Sequence, residues 1–306
     1  MASWLLRPKF WSAAEFFPLE KMLLWSIWNN GVLEYCNIVH LKKQKTENTM
    51  IHKTAIISNS AEIGPGVEIG PYAIVGDDVR IGKGTQIGPH AVIEGPITIG
   101  QGCTVFQFCS LGAIPQDLKF QNESTELVIG NNNTFREFVT VNRGTEGGGG
   151  RTVLGDNNFL MAYCHVAHDC KIGNNVILAN SASLAGHIVI EDHAIVGGLV
   201  GIHQFVRIGT HAMVGGLSAI PKDVPPYVLV SGVRVRPRGL NLVGLKRHGF
   251  PPEVITELKT AYKILYRSNL TVQKAVERIK EENLNSSEVR HLADFVRDSE
   301  RGIIRE

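Results

Sequence analysis

The chain has 306 residues, 43% hydrophobic and 20% charged, with a net charge of +2 when His is neutral. That suits a folded protein with an ample core, and the near-balance of charge gives no general basis for nucleic-acid binding. The five cysteines form no C-x-x-C pair, which argues against a metal knuckle.

Residues 1–49 read as an N-terminal extension. Four tryptophans fall here, and Arg7 and Lys9 precede the first acid, Glu15. The apolar run Met22–Trp28 is too short to span a membrane, so no transmembrane segment is expected. No secretory cleavage pattern is present. An organelle-targeting extension and a leader of no particular role are both consistent with this stretch; Glu15, Glu20 and Glu34 count against targeting.

From Ile51 an apolar residue recurs every six positions: Ile57, Ile63, Ile69, Val75, Ile81, Ile87, Ile93, Ile99, Val105, Leu111. The series resumes at Ile129, Phe135 and Val141, and again from Leu154 to Ile220. A period of six fits neither an α-helix nor an alternating strand; it is the hexapeptide signature of a parallel β-helix. Three hexads make one triangular coil, so residues eighteen apart stack about 4.8 Å from one another. Glycine often follows the apolar residue, where it is expected to tolerate the corner geometry. Cys103, Cys109, Cys164 and Cys170 fall at the small inward position and read as buried hydrophobes in a reducing compartment, not disulfides. Two interruptions, 112–123 and 143–150, must leave the coil as external loops, where function concentrates.

Pro221, Pro225 and Pro226 are expected to end the solenoid, giving a domain over 50–226. The remainder, 227–306, reads as a helical domain. One helix opens at Pro251-Pro252-Glu253 and runs to about Arg267, with Leu258, Tyr262 and Leu265 on one face. A second spans Thr271 to about Glu282, and a third begins near Ser286. Such a block would cap the open end of the coil.

The chemistry concentrates at His165-Val166-Ala167-His168-Asp169, Ala185-Gly186-His187 and His203-Gln204-Phe205. A spacing of eighteen stacks Asp169 under His187, His168 under Gly186, and Gly186 under Gln204. An imidazole beside a carboxylate is suited to general base catalysis, and Gly186 leaves a backbone N–H open to a carbonyl oxygen. No serine or cysteine stands beside His168 as a nucleophile, which favours direct attack by a substrate hydroxyl. His193 and His211 read as solvated surface residues. Zinc held by His165, His168 and His187 is the competing reading; the His–Asp adjacency and the facing glycine fit acyl transfer better. Arg234, Arg236, Arg238, Lys246 and Arg247 form a basic run suited to phosphates or an acidic partner.

The stretches Ile114-Pro115-Gln116-Asp117-Leu118-Lys119, Arg143-Gly144-Thr145, His165 to Cys170, Leu184 to His187, His203-Gln204-Phe205, Asp223 to Tyr227 and Gly244 to Arg247 occur in this order. In this combination the chain, from residue 50 to about 303, resembles the acyl-[acyl-carrier-protein]–UDP-N-acetylglucosamine O-acyltransferases of lipid A biosynthesis. The resemblance implies an all-β solenoid plus α, a left-handed parallel β-helix with a C-terminal helical domain, assembled as a homotrimer with sites between prisms. It implies transfer of a 3-hydroxyacyl group from acyl carrier protein to UDP-N-acetylglucosamine, with no cofactor and no resident metal. His168 would be the base, Asp169 its orienting carboxylate and Gly186 the oxyanion donor. Asp117, Lys119, His165, His187 and Gln204 would contact donor or sugar. Asn241 and Arg247 would lie near the nucleotide, and Gly216 would leave room for a long acyl chain. Asn142, Val243 and His248 depart from the bacterial pattern. Activity on another nucleotide sugar or on an amine remains a neighbouring reading. The extension, absent from typical bacterial members, suggests an organellar relative, mitochondrial first and cytoplasmic as the alternative.

Overall fold

The computed structural model describes residues 49–282, 284 and 286–305. The expectations about residues 1–48 lie outside it. Each hexad contributes a strand of only two to four residues, and among the described residues these strands stack into three sheets of eleven, nine and eight. The first face starts at Met50–Ile51, the second at Ile56–Ile57 and the third at Glu62–Ile63. Rungs eighteen residues apart pair in parallel, Ile51 with Ile69, Ile57 with Val75 and Ile63 with Ile81. The hexad residues point inward: Ile93, Leu111, Phe135, Leu154 and Leu178 are fully buried. Each such burial is worth roughly 1.5–3 kcal/mol before chain entropy is counted. The four cysteines expected inside are buried free thiols, and burial pushes Cys109 and Cys170 up to about 12 and Cys164 up to about 11.

The glycine after the apolar residue serves a different purpose from the one expected. Except at Gly112, where the 112–123 loop begins, its φ is not left-handed; a Cβ at Gly64 would lie 2.8 Å from the Ile81 carbonyl oxygen of the next coil. Close approach of stacked backbones therefore excludes a side chain. The left-handed turn falls two residues later, frequently on a non-glycine residue such as His187 (φ 62°) or His193 (φ 60°).

Both interruptions leave the prism at one edge, between the second and third faces. The ladder passes beneath them intact: Ile99 pairs with Ile129 across the first, and Ile129 with Leu154 across the second. The Asn142 amide donates to the Ala113 and Ile114 carbonyls, and the Arg143 guanidinium donates to the Gly95 carbonyl while facing the Phe120 ring. Asn142 thus braces the base of the 112–123 loop.

The solenoid extends past the expected boundary at 226. Val228–Ser231 adds a parallel rung against Met213–Val214, then turns back antiparallel as Arg236–Leu240. Pro225 and Pro226 sit at the edge before that rung, where no ladder donor is lost. Among the described residues four helices follow: α1 (Leu242–Arg247), α2 (Pro252–Arg267), α3 (Val272–Glu281) and α4 (Ser287–Arg297). Thr271 and Ser286 cap α3 and α4 through their hydroxyls. Leu245, Leu258, Leu265, Ile279 and Leu292 form the helical core, while Tyr262, Tyr266 and Ile304 pack on the solenoid core. The helices therefore close that end, as their sequence suggests. Among the described residues no helix is long and apolar enough to cross a membrane.

Candidate active site

The edge that carries both loops also carries His168. Its Nδ1 lies 2.7 Å from Asp169 Oδ2. That carboxylate is 1% exposed and accepts from the Thr145 N–H (2.8 Å, Oδ1) and the Thr145 hydroxyl (2.6 Å, Oδ2). Because these oxygens act as acceptors, Nδ1 carries the proton and the Nε2 lone pair is left free. Gly186 stacks against the ring: a Cβ there would lie 2.7 Å from His168 Cε1 and 2.8 Å from Nε2. The corner leaves the Gly186 N–H without a ladder partner, and among the described residues it donates to no protein acceptor.

His187 sits edge-on to His168, 5.1 Å between ring centroids, and stacks on Phe205 at 4.5 Å. Its Nε2 is 3.7 Å from Asp169 Oδ2. Burial lowers its pKa, helped by His168 and opposed by the negative charges of Asp169 and Asp117. Asp117 on the first loop therefore acts electrostatically on this corner; its Oδ1 also accepts the Lys119 N–H at 3.0 Å. His165 Nδ1 meets the Thr140 hydroxyl at 2.7 Å, and burial, then His168, lowers its pKa. Gln204 and Lys119 are exposed.

A groove of about 640 Å³ runs from this corner across the second face. Gln116, His165, His168, Gly186, Gly201 and Ala219 line parts of it, while the side chains of Leu184, Ile202 and Ile220 behind them point into the prism. The apolar floor suits a hydrocarbon chain, and the imidazole at its head suits a reacting group.

Other expected residues stand on other edges of the prism. Gly216 lies between the first and second faces, one coil from Gly198. Asn241 lies by the edge between the third and first faces, where its amide donates to the His211 carbonyl and its Oδ1 caps α1 by accepting the Gly244 N–H. Arg247 is exposed at the far end of α1. Within one chain these three do not join His168.

Two expectations need correction. His211 is 9% exposed, not solvated: it stacks on His193 at 4.6 Å and meets His248 and Phe250 edge-on. Burial, then His193 and His248, pushes it down to about 4. Neither residue carries a sequence signal for this, because the covering side chains come from the segment after the solenoid. For zinc, the three groups that converge are His168, Asp169 and His187, with ligand atoms within 4.8 Å, and not His165. The Asp169 oxygens in that set already accept from Thr145 and His168. Sequence reasoning gave no role to Thr145, Gly148, Gln116 or Gly201; the Arg143-Gly144-Thr145 and Ile114–Lys119 stretches hinted at Thr145 and Gln116.

A three-faced hexapeptide coil with a His–Asp pair heading an apolar groove defines a hexapeptide-repeat acyltransferase. The bacterial transferase hexapeptide model matches residues 78–112 and 151–186, and the second domain of UDP-N-acetylglucosamine O-acyltransferase matches 223–304. The chain is 55% identical over 255 residues to the acyl-[acyl-carrier-protein]–UDP-N-acetylglucosamine O-acyltransferase of Thermodesulfovibrio yellowstonii, covering 83% of this chain and 99% of that one. It is 53% identical over 257 residues to the Alkalilimnicola ehrlichii enzyme of that name, covering 84% and 100%. The Francisella novicida UDP-N-acetylglucosamine acyltransferase structure superposes with a TM-score of 0.82 at 40% identity, covering 84% and 94%. The chain belongs to the UDP-N-acetylglucosamine O-acyltransferase family, and its coil is the left-handed parallel β-helix of that family. The Arabidopsis UDP-N-acetylglucosamine acyltransferase structure also superposes, with a TM-score of 0.74 at 35% identity, covering 83% and 100%, so the similarity spans bacterial and plant enzymes and does not decide the location.

Proposed function

We infer that this chain catalyses the first step of lipid A biosynthesis, moving a 3-hydroxyacyl group from acyl carrier protein to the 3-hydroxyl of UDP-N-acetylglucosamine. The observation that carries the chemistry is the His168–Asp169 pair packed against Gly186, whose N–H has no protein acceptor among the described residues, at the head of the groove. His168 Nε2 takes the hydroxyl proton as the sugar oxygen attacks the thioester carbonyl carbon. The Gly186 N–H meets the oxyanion that develops. Collapse of the tetrahedral adduct breaks the C–S bond, and the imidazolium returns its proton to the departing sulfur; an ester and a free thiol result.

The distribution of Gly216, Asn241 and Arg247 over other edges supports a homotrimer. Edges that diverge within one prism meet when copies pack around a threefold axis, so a neighbour would supply what one chain holds apart. Arg247 would then face nucleotide phosphates, and the exposed Arg234, Arg236 and Arg238 would attract the acidic carrier protein. The test is incubation with UDP-N-acetylglucosamine and 3-hydroxyacyl carrier proteins of several lengths, read by mass spectrometry. A 3-O-acyl nucleotide sugar is expected, from a species of three-chain mass in solution. Acylation only of an amine, or of a different nucleotide sugar, would overturn the reading.

A further inference from the structure

The 143–150 loop stands over the carboxylate, not merely beside it. Thr145 supplies Asp169 with two donors, one to each oxygen, and its hydroxyl polarity is fixed because it accepts the Gly148 N–H at 3.2 Å. The short helical turn Glu146–Gly148 that Thr145 caps brings Gly148 onto the carboxyl group, where a Cβ would fall inside the space of the Asp169 carboxyl carbon. From below, the Thr152 hydroxyl accepts the Asp169 N–H at 2.8 Å. Asp169 itself holds a left-handed backbone (φ 61°). Every rotation of this carboxylate therefore breaks a bond or meets backbone.

We propose that this loop is the positioning element of the active site and Thr145 its positioning residue, clamping Asp169 in the orientation that holds the Nδ1–H of His168 and turns Nε2 to the groove. The torsion about a carboxylate is broad, so a hydrogen bond to imidazole alone would not fix it. Two donors from one rigid residue do, and Gly148 completes the housing by excluding water. The proposal rests on His168 as the base.

The experiment is a kinetic series on the full chain. Thr145→Val keeps the volume and the backbone donor but removes the hydroxyl. We expect kcat to fall about 10–100-fold with KM for UDP-N-acetylglucosamine little changed, since misplacement of a catalytic group costs turnover. Thr145→Ser restores most of kcat. Gly148→Ala lowers kcat in the same way, and carries the test if Thr145→Val does not fold. In an Asp169→Asn background Thr145→Val causes little additional loss, because both act through one imidazole. Normal kcat in Thr145→Val, a full multiplicative loss on Asp169→Asn, or failure of serine to rescue would each overturn the assignment. An active His168→Ala enzyme would instead remove the base assignment, so the two failures are distinguishable.

Discussion

His187 and His193 occupy the same position of the hexad on neighbouring edges of one prism, with left-handed φ values of 62° and 60°. Their surroundings diverge completely. Beside His187 stand His168, a buried carboxylate and an open groove. Beside His193 stand His211 and His248, with Phe250 covering His211. Asp192, next in sequence, turns its carboxylate to the backbone N–H of Asn174. Backbone geometry is therefore neutral as to chemistry. A carboxylate held against the ring and a free approach make one edge reactive. Stacking and cover make the other a closed seam, in which burial holds His211 down to about 4.

The largest effect that separates the two edges is His168→Ala, which should lower kcat roughly 10²–10⁴-fold while assembly and melting stay intact. His193→Ala should leave turnover near wild type; equal losses would erase the distinction. Next is Gly186→Ala, whose Cβ meets the His168 ring at 2.7 Å. Displacing that ring from its bond to Asp169 should cost about 10–100-fold in kcat, with at most a small drop in melting temperature. Smaller still is a pH effect at the seam. His211 is held down to about 4 by burial, His193 and His248, with Asp192 opposing, so its folded value lies below its ordinary one. Its contribution to stability is complete above about pH 6.5 and is lost as pH falls toward 4. His211→Phe should therefore flatten the acid side of the melting-temperature profile. His291 has the opposite sign: its hydrogen bond to Glu191 raises its pKa, so its contribution is complete at low pH and fades as pH rises through the folded value. His291→Asn should cost about 1–2 °C below neutrality and less above it.

The periodicity of six made the coil, the stacking of His168 under Gly186 and the four buried cysteines legible, because a repeat that fixes inward positions also fixes which residues share an edge. Caps and apolar faces made α2, α3 and α4 legible for the same local reason. What escaped depended on contacts without a period. Thr145 reaches Asp169 from 24 residues away through an insertion. His211 is covered by a segment some 40 residues later. The six-residue α1 is too short for a helical stripe to show. Asn142, read only as a departure from the bacterial pattern, braces the base of a loop.

That both insertions sprout from one edge while Ile99, Ile129 and Leu154 still pair in line separates two burdens on this sequence. Stability is inherited rung by rung from nearest neighbours, so a loop can lengthen, shorten or exchange residues without reopening the question of how the chain folds. Variation in the loops that cover the His168 corner is thereby carried by a ridge that selection can rewrite while the column beneath stays still.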